Sequence, residues 1–546
     1  MKQWWKSTVI YQIYPRSFYD SNNDGIGDLK GITQKLNYLN DGKGGGLGIE
    51  TIWISPFFTS PMVDFGYDIS NYEEVDPIFG TLKDFDELIN ETKKRGIRVI
   101  IDLVLNHTSD KHKWFEESKK DRINDKSDWY VWQNPKKNGE VPNNWLSIFG
   151  GSAWEFSKER GQYYLHSFLK EQPDLNWANP AVRKEMAEMI RFWMKRGVAG
   201  FRLDAVDYLA YDDKFRNNPK TDKSSKKMWE LGQNPYFDFV PIYSKNGDRQ
   251  IEYIEFLRSV FDEYSVASVC EISGAPTLEG TLKIAKAHTE KDKRVNMAYT
   301  FSLLNSKSDI IYISKVIETT YKFMEDSWTC FTLGNHDCTR LASRYNKKTN
   351  GYDFSRLAQI LLLTLKGTPI LYYADELNMT EYPIKKSELQ DPFGINLWPT
   401  YKGRDGCRTP FPWDSKKKNL GFNSGAKTWL PAVNHTCLDE AKKDKYSTYY
   451  LIKDMLKLRK KYEVMSLGSF NKISLSDNVY IFEREFEGEK ILCCFNFSDK
   501  EKSFVMGGIV KQISIDSFEN NGKFVEGKII LPNFGAFLGV YTLNKN

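Results

Sequence analysis

The sequence lacks a long hydrophobic run. Its longest apolar stretch, residues 360–365, is far shorter than the roughly 20 residues that a membrane-spanning helix needs. Residues 1–6 show neither an apolar core nor a small-residue cleavage site, which are the marks of a signal peptide. We therefore predict a cytoplasmic protein without a membrane partner.

Cysteine is scarce, and so is an excess of charge of either sign. The seven cysteines are scattered, and their spacing fits neither a disulfide framework nor a metal knuckle, so we expect reduced thiols. The 77 basic and 72 acidic residues leave a formal charge of only +5. Because a nucleic-acid binder usually carries a strong basic patch, this balance argues against a nucleic-acid partner.

Aromatic residues, by contrast, are abundant. The chain has 15 Trp, 30 Tyr and 34 Phe among 546 residues. Aromatic rings stack against flat ligands such as sugars or bases, although a large aromatic core has the same composition. The length predicts a large main domain with one or two additions.

Short apolar runs alternate with helical patterns through the first three quarters of the chain. Residues 97–103 form a β-branched run typical of a buried parallel strand, and Asn179 and Pro180 open a helix as its N-cap and first residue. Similar runs predict strands at residues 10–14, 51–55, 200–203, 269–271, 330–333 and 368–372. Repeated strand–helix units of this size predict a (β/α)8 barrel or a doubly wound sheet.

Two intervals break this alternation. The first is rich in Trp, Asn, Gly and Pro without a helical period, and the second has short strands separated by turn residues. We therefore predict a barrel over residues 1–107 and 178–466, a small domain inserted after the third strand over 108–177, and a C-terminal antiparallel β-sandwich over 467–546.

Carboxylates follow three of the predicted strands, at the end where a barrel places its active site. Asp204 and Glu271 each end a strand, and Asp337 follows a third. Arg202 lies two residues before the first acid, and His336 is next to the last. We expect these side chains to converge at the mouth of the barrel.

The polar strand ends resemble the four conserved regions of the α-amylase superfamily (glycoside hydrolase family 13), in the same order. These regions are residues 102–107, 200–204, 269–271 and 333–337. Residues 172–176, Gln-Pro-Asp-Leu-Asn, resemble the marker of its oligo-1,6-glucosidase and α-glucosidase branch. The resemblance implies an α/β fold with a TIM barrel, and a retaining glycoside hydrolase that releases terminal glucose from short α-glucosides.

The resemblance also implies the role of each acid. Retaining hydrolysis pairs a carboxylate nucleophile with a carboxylic acid, about 5–5.5 Å apart. Asp204 would be the nucleophile, kept ionised by Arg202, and Asp337 would bind sugar hydroxyls. Glu271 would be the acid and then the base, with a raised pKa. The other expected glucose contacts are Asp64, Tyr67, His107, Phe149, Phe168, Arg202, His336 and Arg408.

Several of these residues have a plain structural alternative. Tyr67, Phe149 and Phe168 also fit ordinary packing, and Asp102 fits a structural organiser behind the site better than a reactant.

One departure from the family pattern bears on Glu271. Cys270 precedes it, where many relatives carry a small residue such as Gly, which indicates either a modest perturbation or a shifted alignment. Three competing glutamates lie in a helix-like segment without a preceding strand, so we prefer Glu271. They are Glu252, Glu255 and Glu263.

An oxygen-rich loop follows the first predicted strand. Its alternating side chains match the opening of an EF-hand loop, without the terminal Glu. The resemblance implies a structural Ca²⁺ held by Asp20, Asn22, Asp24, the Ile26 carbonyl and Asp28. The alternative is an Asx-rich turn without metal. We expect no organic cofactor.

The residue after the nucleophile bears on linkage preference. In this branch Ala or Thr there accompanies α-1,4 preference and Val accompanies α-1,6; here it is Ala205. We therefore favour maltose-type oligosaccharides, with isomaltose, sucrose and transglucosylation left open. The alternatives are a sucrose isomerase or trehalose synthase on the same scaffold, and a non-catalytic transporter subunit, which lacks acids of the triad. We expect a monomer or a weak homo-oligomer.

Overall fold

Eight parallel strands close into a barrel in the computed structural model, and each strand pairs with its neighbours in chain order. Ile10 pairs with both Thr51 and Ile370, so the first strand joins the second and the last. The strands are β1 (Ile10–Ile13), β2 (Thr51–Ile54), β3 (Arg98–Val104), β4 (Gly200–Asp204), β5 (Ala267–Ile272), β6 (Met297–Thr300), β7 (Trp328–Thr332) and β8 (Thr368–Tyr372).

The structure describes most of the chain. The described residues are 3–222, 234–345, 351–433, 436–506 and 509–542. The outermost ends of the predicted domains, residues 1–2 and 543–546, lie outside them. No helix in the described residues is long and apolar enough to cross a membrane.

The strands consist mainly of apolar residues that are buried on both faces of the sheet. All of β3 except Arg98 is buried, as expected for a parallel strand covered by helices. Thr81 and Asp84 form a capping box at the start of one such helix. The longer helices are Leu29–Leu39, Leu82–Lys94, Pro180–Lys195, Gln250–Asp262, Leu278–Thr289, Ile310–Phe323, Gly351–Thr364 and Thr448–Lys461.

The sequence pattern did not identify β6. This strand has four residues, Met-Ala-Tyr-Thr, and runs directly into the short helix Phe301–Leu304. Such a short segment without a β-branched run carries no clear period. Pairing of Val269 with Met297 and of Met297 with Trp328 makes it a barrel strand.

A small antiparallel sheet lies between β3 and β4. Its strands are Trp132–Gln133, Trp154–Ser157 and Gln162–Leu165, with the last in the middle. The short helix Lys113–Ser118 precedes them, and an aromatic cluster that includes Trp145 and Trp154 packs against the sheet. The predicted insertion after the third strand is therefore present.

Two antiparallel sheets follow the barrel, as predicted. The five-stranded sheet contains Ser469–Ser476, Val479–Phe486, Glu489–Asn496, Ile509–Ile513 and Ala536–Thr542. The three-stranded sheet contains Lys502–Val505, Lys523–Val525 and Lys528–Leu531. Arg484, which is fully buried, donates to the carbonyls of Met465 (2.7 Å) and Gly468 (2.8 Å) and also contacts the Thr364 carbonyl at the end of a barrel helix. This arginine joins the first of the two sheets to the barrel.

Candidate active site

The three predicted acids line one cavity at the carboxyl ends of the strands. Asp204 is the last residue of β4, Glu271 lies near the end of β5 and Asp337 follows β7. The cavity measures about 230 Å³, which is small compared with the roughly 300–1,000 Å³ of common ligand sites. The side chains of the three acids are between 12% and 20% exposed, so the carboxyl groups reach only this space.

Arg202 bridges the two acids that a retaining mechanism needs. Its Nη1 donates to Asp204 Oδ1 at 2.6 Å and to Asp102 Oδ1 at 2.7 Å, and its Nη2 contacts the Glu271 carboxyl group. Tyr299 donates its hydroxyl to Glu271 Oε2 at 2.9 Å. One guanidinium therefore contacts both carboxyl groups and holds them at the same part of the cavity wall.

Burial dominates the protonation of the expected nucleophile. It raises the pKa of Asp204 to about 7, because the Arg202 charge, which opposes the shift, is shared with Asp102 while Asp102 and Asp337 repel a second anion. We expected Arg202 to keep Asp204 ionised; its charge does lower the pKa of Asp204, but burial outweighs it. One cation serves three carboxyl groups in this part of the cavity.

Asp337 has the opposite environment. Burial alone raises the pKa of Asp337, but His336 and the arginines outweigh it and hold that pKa below its ordinary value. His336 Nε2 lies 3.2 Å from Asp337 Oδ2, while Arg404 and Arg408 each donate to Oδ1 at 3.1 Å. This carboxylate is thus ionised and fixed, as a group that binds sugar hydroxyls requires.

Tyr67 and His336 form a stacked pair on the cavity wall. Their ring centroids are 5.4 Å apart with an interplanar angle of 2°, and Tyr67 Oη lies 2.6 Å from His336 Nε2. Tyr67 also donates to Asp102 Oδ2 at 3.1 Å, and Trp53 Nε1 donates to the same oxygen at 3.0 Å. Asp102 is fully buried and organises these groups from behind the wall.

The other predicted ring-bearing residues line the same cavity. The ring centroids of His107 and Phe168 are 5.1 Å apart, and those of Phe149 and Phe168 are 6.2 Å apart. Burial lowers the pKa of His107 to about 3, so this imidazole is neutral and can hydrogen-bond a hydroxyl without carrying charge. The predicted residues that line the cavity besides the acids are Asp64, Tyr67, His107, Phe149, Phe168 and His336.

Comparison with known proteins agrees with this arrangement. Residues 12–468 match the family described as the alpha amylase catalytic domain. The chain belongs to the α-amylase family.

Relatives cover almost the whole of this α-amylase-family chain. A probable alpha-glucosidase from Rhizobium meliloti is 41% identical over 98% of this chain and 97% of its own length. An oligo-1,6-glucosidase from Heyndrickxia coagulans is 35% identical over 96% of this chain and 97% of its own. The crystal structure of the alpha-glucosyl transfer enzyme XgtA superposes with a TM-score of 0.92, at 39% identity, covering 99% of this chain and all of that one.

Two predicted residues of the family site support the wall from behind. Arg202 and Arg408 are at most 1% exposed, and neither is among the described residues that line the cavity. Arg404 lines it instead, and its Nη2 donates to Asp64 Oδ1 at 2.8 Å. Arg404 lies four residues before Arg408, and the resemblance had assigned the sugar contact to Arg408.

Sequence reasoning missed further parts of the site. Gln172 Nε2 donates to Asp64 Oδ2 at 3.2 Å and lies 3.1 Å from His107 Nε2. The sequence did contain a signal for Gln172, because this residue begins the segment 172–176 that resembles the branch marker. The aromatic residues of the wall carried no such signal; they are Tyr208, Phe237, Phe301, Phe393 and Tyr401.

The oxygen-rich loop after β1 is ordered by its own backbone. Asp20 accepts from the N–H groups of Asn23 (2.6 Å) and Gly25 (2.8 Å), and Asp24 accepts from that of Ile26 (2.8 Å). Asp28 caps the helix Leu29–Leu39 through the Gly31 N–H at 2.7 Å. Across the part of the chain that the structure describes, no three His, Cys, Asp or Glu side chains converge as a metal cluster. The candidate metal ligands of this loop are all oxygen atoms, which is the ligand type that Ca²⁺ takes.

Proposed function

We propose that the protein is a retaining α-glucosidase that removes terminal glucose from short α-linked oligosaccharides, with a preference for α-1,4 linkages. The observation that carries this proposal is the cavity in which Arg202 contacts both Asp204 and Glu271. The names of the relatives, alpha-glucosidase and oligo-1,6-glucosidase, support it.

The geometry supports a two-step reaction. Ionised Asp204 would attack the anomeric carbon while Glu271 donates its proton to the glycosidic oxygen, so that the bond to the leaving sugar breaks. Glu271, now a carboxylate, would take a proton from water, and the resulting attack would release glucose from Asp204. Asp337 and the neutral His107 would bind hydroxyls of the same glucose.

The closed end of the cavity supports cleavage of one terminal glucose at a time. Asp64 and Arg404 form an ion pair at 2.8 Å, and Arg404 is also bonded to Asp391 at 2.7 Å. The Arg404 guanidinium lies 5.2 Å from the Phe149 ring centroid. We propose that these contacts block further sugars beyond the one that faces Asp337, so that the substrate enters by its non-reducing end.

Ala205 supports the preference for α-1,4 linkages. It lines the cavity directly after Asp204 and has a left-handed backbone with φ of 46°. A small side chain here leaves room for the leaving sugar. Discrimination by a single contact of this kind amounts to about 1–3 kcal/mol, so isomaltose and sucrose would be slower substrates rather than excluded ones.

The test is turnover of maltose, isomaltose and sucrose at equal concentration, with products followed by NMR. We expect maltose to be cleaved fastest and α-glucose to appear before its anomer. Initial release of β-glucose would overturn the retaining assignment, and dominant cleavage of isomaltose would overturn the linkage preference.

Glucosyl transfer is the second candidate function. It is favoured by the overall similarity to a structure named as an alpha-glucosyl transfer enzyme. The same NMR experiment would show it as new glucosides or sucrose isomers that accumulate while free glucose stays low.

We further propose a structural Ca²⁺ in the loop after β1. Asp20, Asn22, Asp24, the Ile26 carbonyl and Asp28 would hold it, and the ion would stabilise the loop without entering the reaction. We expect chelator to lower the melting temperature of the wild type, and Asp20→Ala to remove that difference while the catalytic cavity stays intact. An identical melting temperature with and without chelator would contradict the proposal.

We also propose a cytoplasmic monomer or weak homo-oligomer. The cysteines support a reducing compartment, because all seven are buried and Cys270, Cys330, Cys493 and Cys494 are free thiols. Cell fractionation and light scattering would test the compartment and the oligomeric state.

A further inference from the structure

A buried lysine lies behind the cavity wall, against the residues that follow the expected acid in the chain. Lys245 is 6% exposed, and its Nζ donates to Ser273 Oγ at 2.6 Å and to the Gly274 carbonyl at 2.9 Å. Ser273 lines the cavity two residues after Glu271. The amine is therefore bound to the first residues of the loop that follows β5.

Asp207 connects the same serine to the loop of the nucleophile. It lies three residues after Asp204, and its Oδ2 accepts from the Ser273 N–H at 2.9 Å and from Ser273 Oγ at 2.7 Å. Asn246, the neighbour of Lys245, donates its backbone N–H to the Asp207 carbonyl at 2.7 Å. The network thus joins the two loops that follow the catalytic strands β4 and β5.

The position of Lys245 is costly for folding. Burial lowers the pKa of Lys245, and the Asp207 carboxylate opposes that shift. A buried ammonium group loses its hydration, and lysines are seldom buried unless they are paired. Here the amine of Lys245 donates to Ser273, which lines the cavity, and to the Gly274 carbonyl after it. This indicates that this part of the wall depends on Lys245.

We propose that Lys245 is a positioning residue for Glu271. Through Ser273 and Gly274 it fixes the end of β5, and through Asp207 it holds that end in a constant relation to Asp204. This inference rests on the proposed glucosidase function, because it concerns the proton that Glu271 gives to the glycosidic oxygen.

The proposal predicts an effect that depends on the leaving group. A sugar is a poor leaving group and needs the proton of Glu271 as the glycosidic bond breaks. A nitrophenolate leaves readily without that proton. Displacing Glu271 should therefore slow cleavage of maltose much more than cleavage of p-nitrophenyl α-glucoside.

The experiment compares kcat/KM of Lys245→Met on these two substrates, because this parameter reports the step in which the leaving group departs. We expect about a 10²-fold loss on maltose, as for a catalytic group misplaced by about 1 Å, and a much smaller loss on the nitrophenyl glucoside. The matched control is Lys366→Met, which removes a half-buried lysine just before β8, at the opposite end of the barrel. It should leave the ratio of the two substrates unchanged.

A second variant keeps the proposal testable if Lys245→Met does not fold. Ser273→Ala removes the hydroxyl that joins Lys245 to Asp207 and should show the same dependence on the leaving group, with the double variant less than additive. Equal losses on both substrates, or no loss, would overturn the proposal. A wild-type protein that cleaves neither substrate would instead contradict the proposed function.

Discussion

Arg202 is the residue on which the electrostatics of the cavity depend. One fully buried guanidinium serves Asp102, Asp204 and Glu271, so no carboxyl group has a cation to itself. Asp337, by contrast, has two arginines. This uneven distribution helps to separate two pKa values: burial raises that of Asp204, while His336 and the arginines lower that of Asp337. The two carboxyl groups therefore ionise over different ranges of pH.

Replacing Glu271, the expected acid, by glutamine should abolish most activity while the shape of the side chain stays the same. Glu271→Gln keeps the volume of the side chain but can neither donate the proton nor act as base, so kcat/KM on maltose should fall by about 10²- to 10⁴-fold. The matched control is Glu252→Gln, on the helix Gln250–Asp262, where the carboxylate pairs with Arg249 at the surface. Wild-type activity in Glu271→Gln would show that the acid lies elsewhere.

The pH dependence should report Asp204. The nucleophile reacts only when ionised, and burial places its pKa at about 7. In the free enzyme, kcat/KM on maltose should therefore fall about tenfold for each unit of pH below this value and level off above it, until Glu271 loses its proton. An acidic limb centred near the ordinary carboxyl pKa of about 4 would contradict this assignment.

At the scale of elements, residue pattern predicted strands better than it predicted contacts. The runs at β1, β3 and β8 were recognisable because parallel barrel strands are apolar on both faces. β6 was not, since four residues carry no period. The difference between Arg404 and Arg408 also could not be read from the sequence, because it depends on how the segment after β8 folds back over the cavity.

That segment depends on two glycines that touch. A Cβ on Gly403 would lie 2.8 Å from both Asp391 Oδ2 and the Gly394 Cα, and Gly403 has a φ of +76°. Gly403→Ala should therefore displace Arg404 and lower kcat/KM on maltose by at least about tenfold, given the cost of misplacing a contact group. Gly488→Ala is the matched control, since Gly488 has a similar φ of +85° but open space around its Cβ position. An equal loss of activity in the two variants would show that backbone strain alone causes the loss, and not the contacts of a Cβ at Gly403.

At the scale of the whole molecule, arginine side chains donate to backbone carbonyls where the first C-terminal sheet meets the barrel. Arg484 donates to the Ser469 carbonyl of the sheet at 2.7 Å and contacts the Thr364 carbonyl of a barrel helix. Arg459, on the helix Thr448–Lys461, donates to the Leu363 carbonyl at 2.7 Å and the Leu365 carbonyl at 3.0 Å. Within the described residues neither guanidinium pairs with a carboxylate, and backbone carbonyl groups accept its hydrogen bonds instead.

Removing the Arg484 side chain, which joins the first C-terminal sheet to the barrel, should destabilise the whole protein. Arg484→Met removes a donor from the backbone carbonyls of Thr364, Met465, Gly468 and Ser469, and each buried carbonyl left unpaired costs roughly 1–3 kcal/mol. We expect a clear fall in melting temperature in calorimetry, with the relative preference for maltose over isomaltose unchanged. Arg216→Met, which removes a half-exposed arginine paired with Asp212, should melt like the wild type. A wild-type melting temperature in Arg484→Met would mean that water replaces the lost donors.

The closure of the barrel between β1 and β8 has a consequence for synthesis of the chain. Ile10 meets Ile370 in the finished barrel, so 360 more residues, the last being Ile370, must be translated after Ile10 before the pair can form. At about 5–20 residues per second, the edge of β1 waits for roughly 18–72 s on the ribosome. During that time the three acids are already translated or being translated but share no cavity, so the nascent chain cannot cleave sugars, and an apolar strand edge needs protection until its last neighbour arrives.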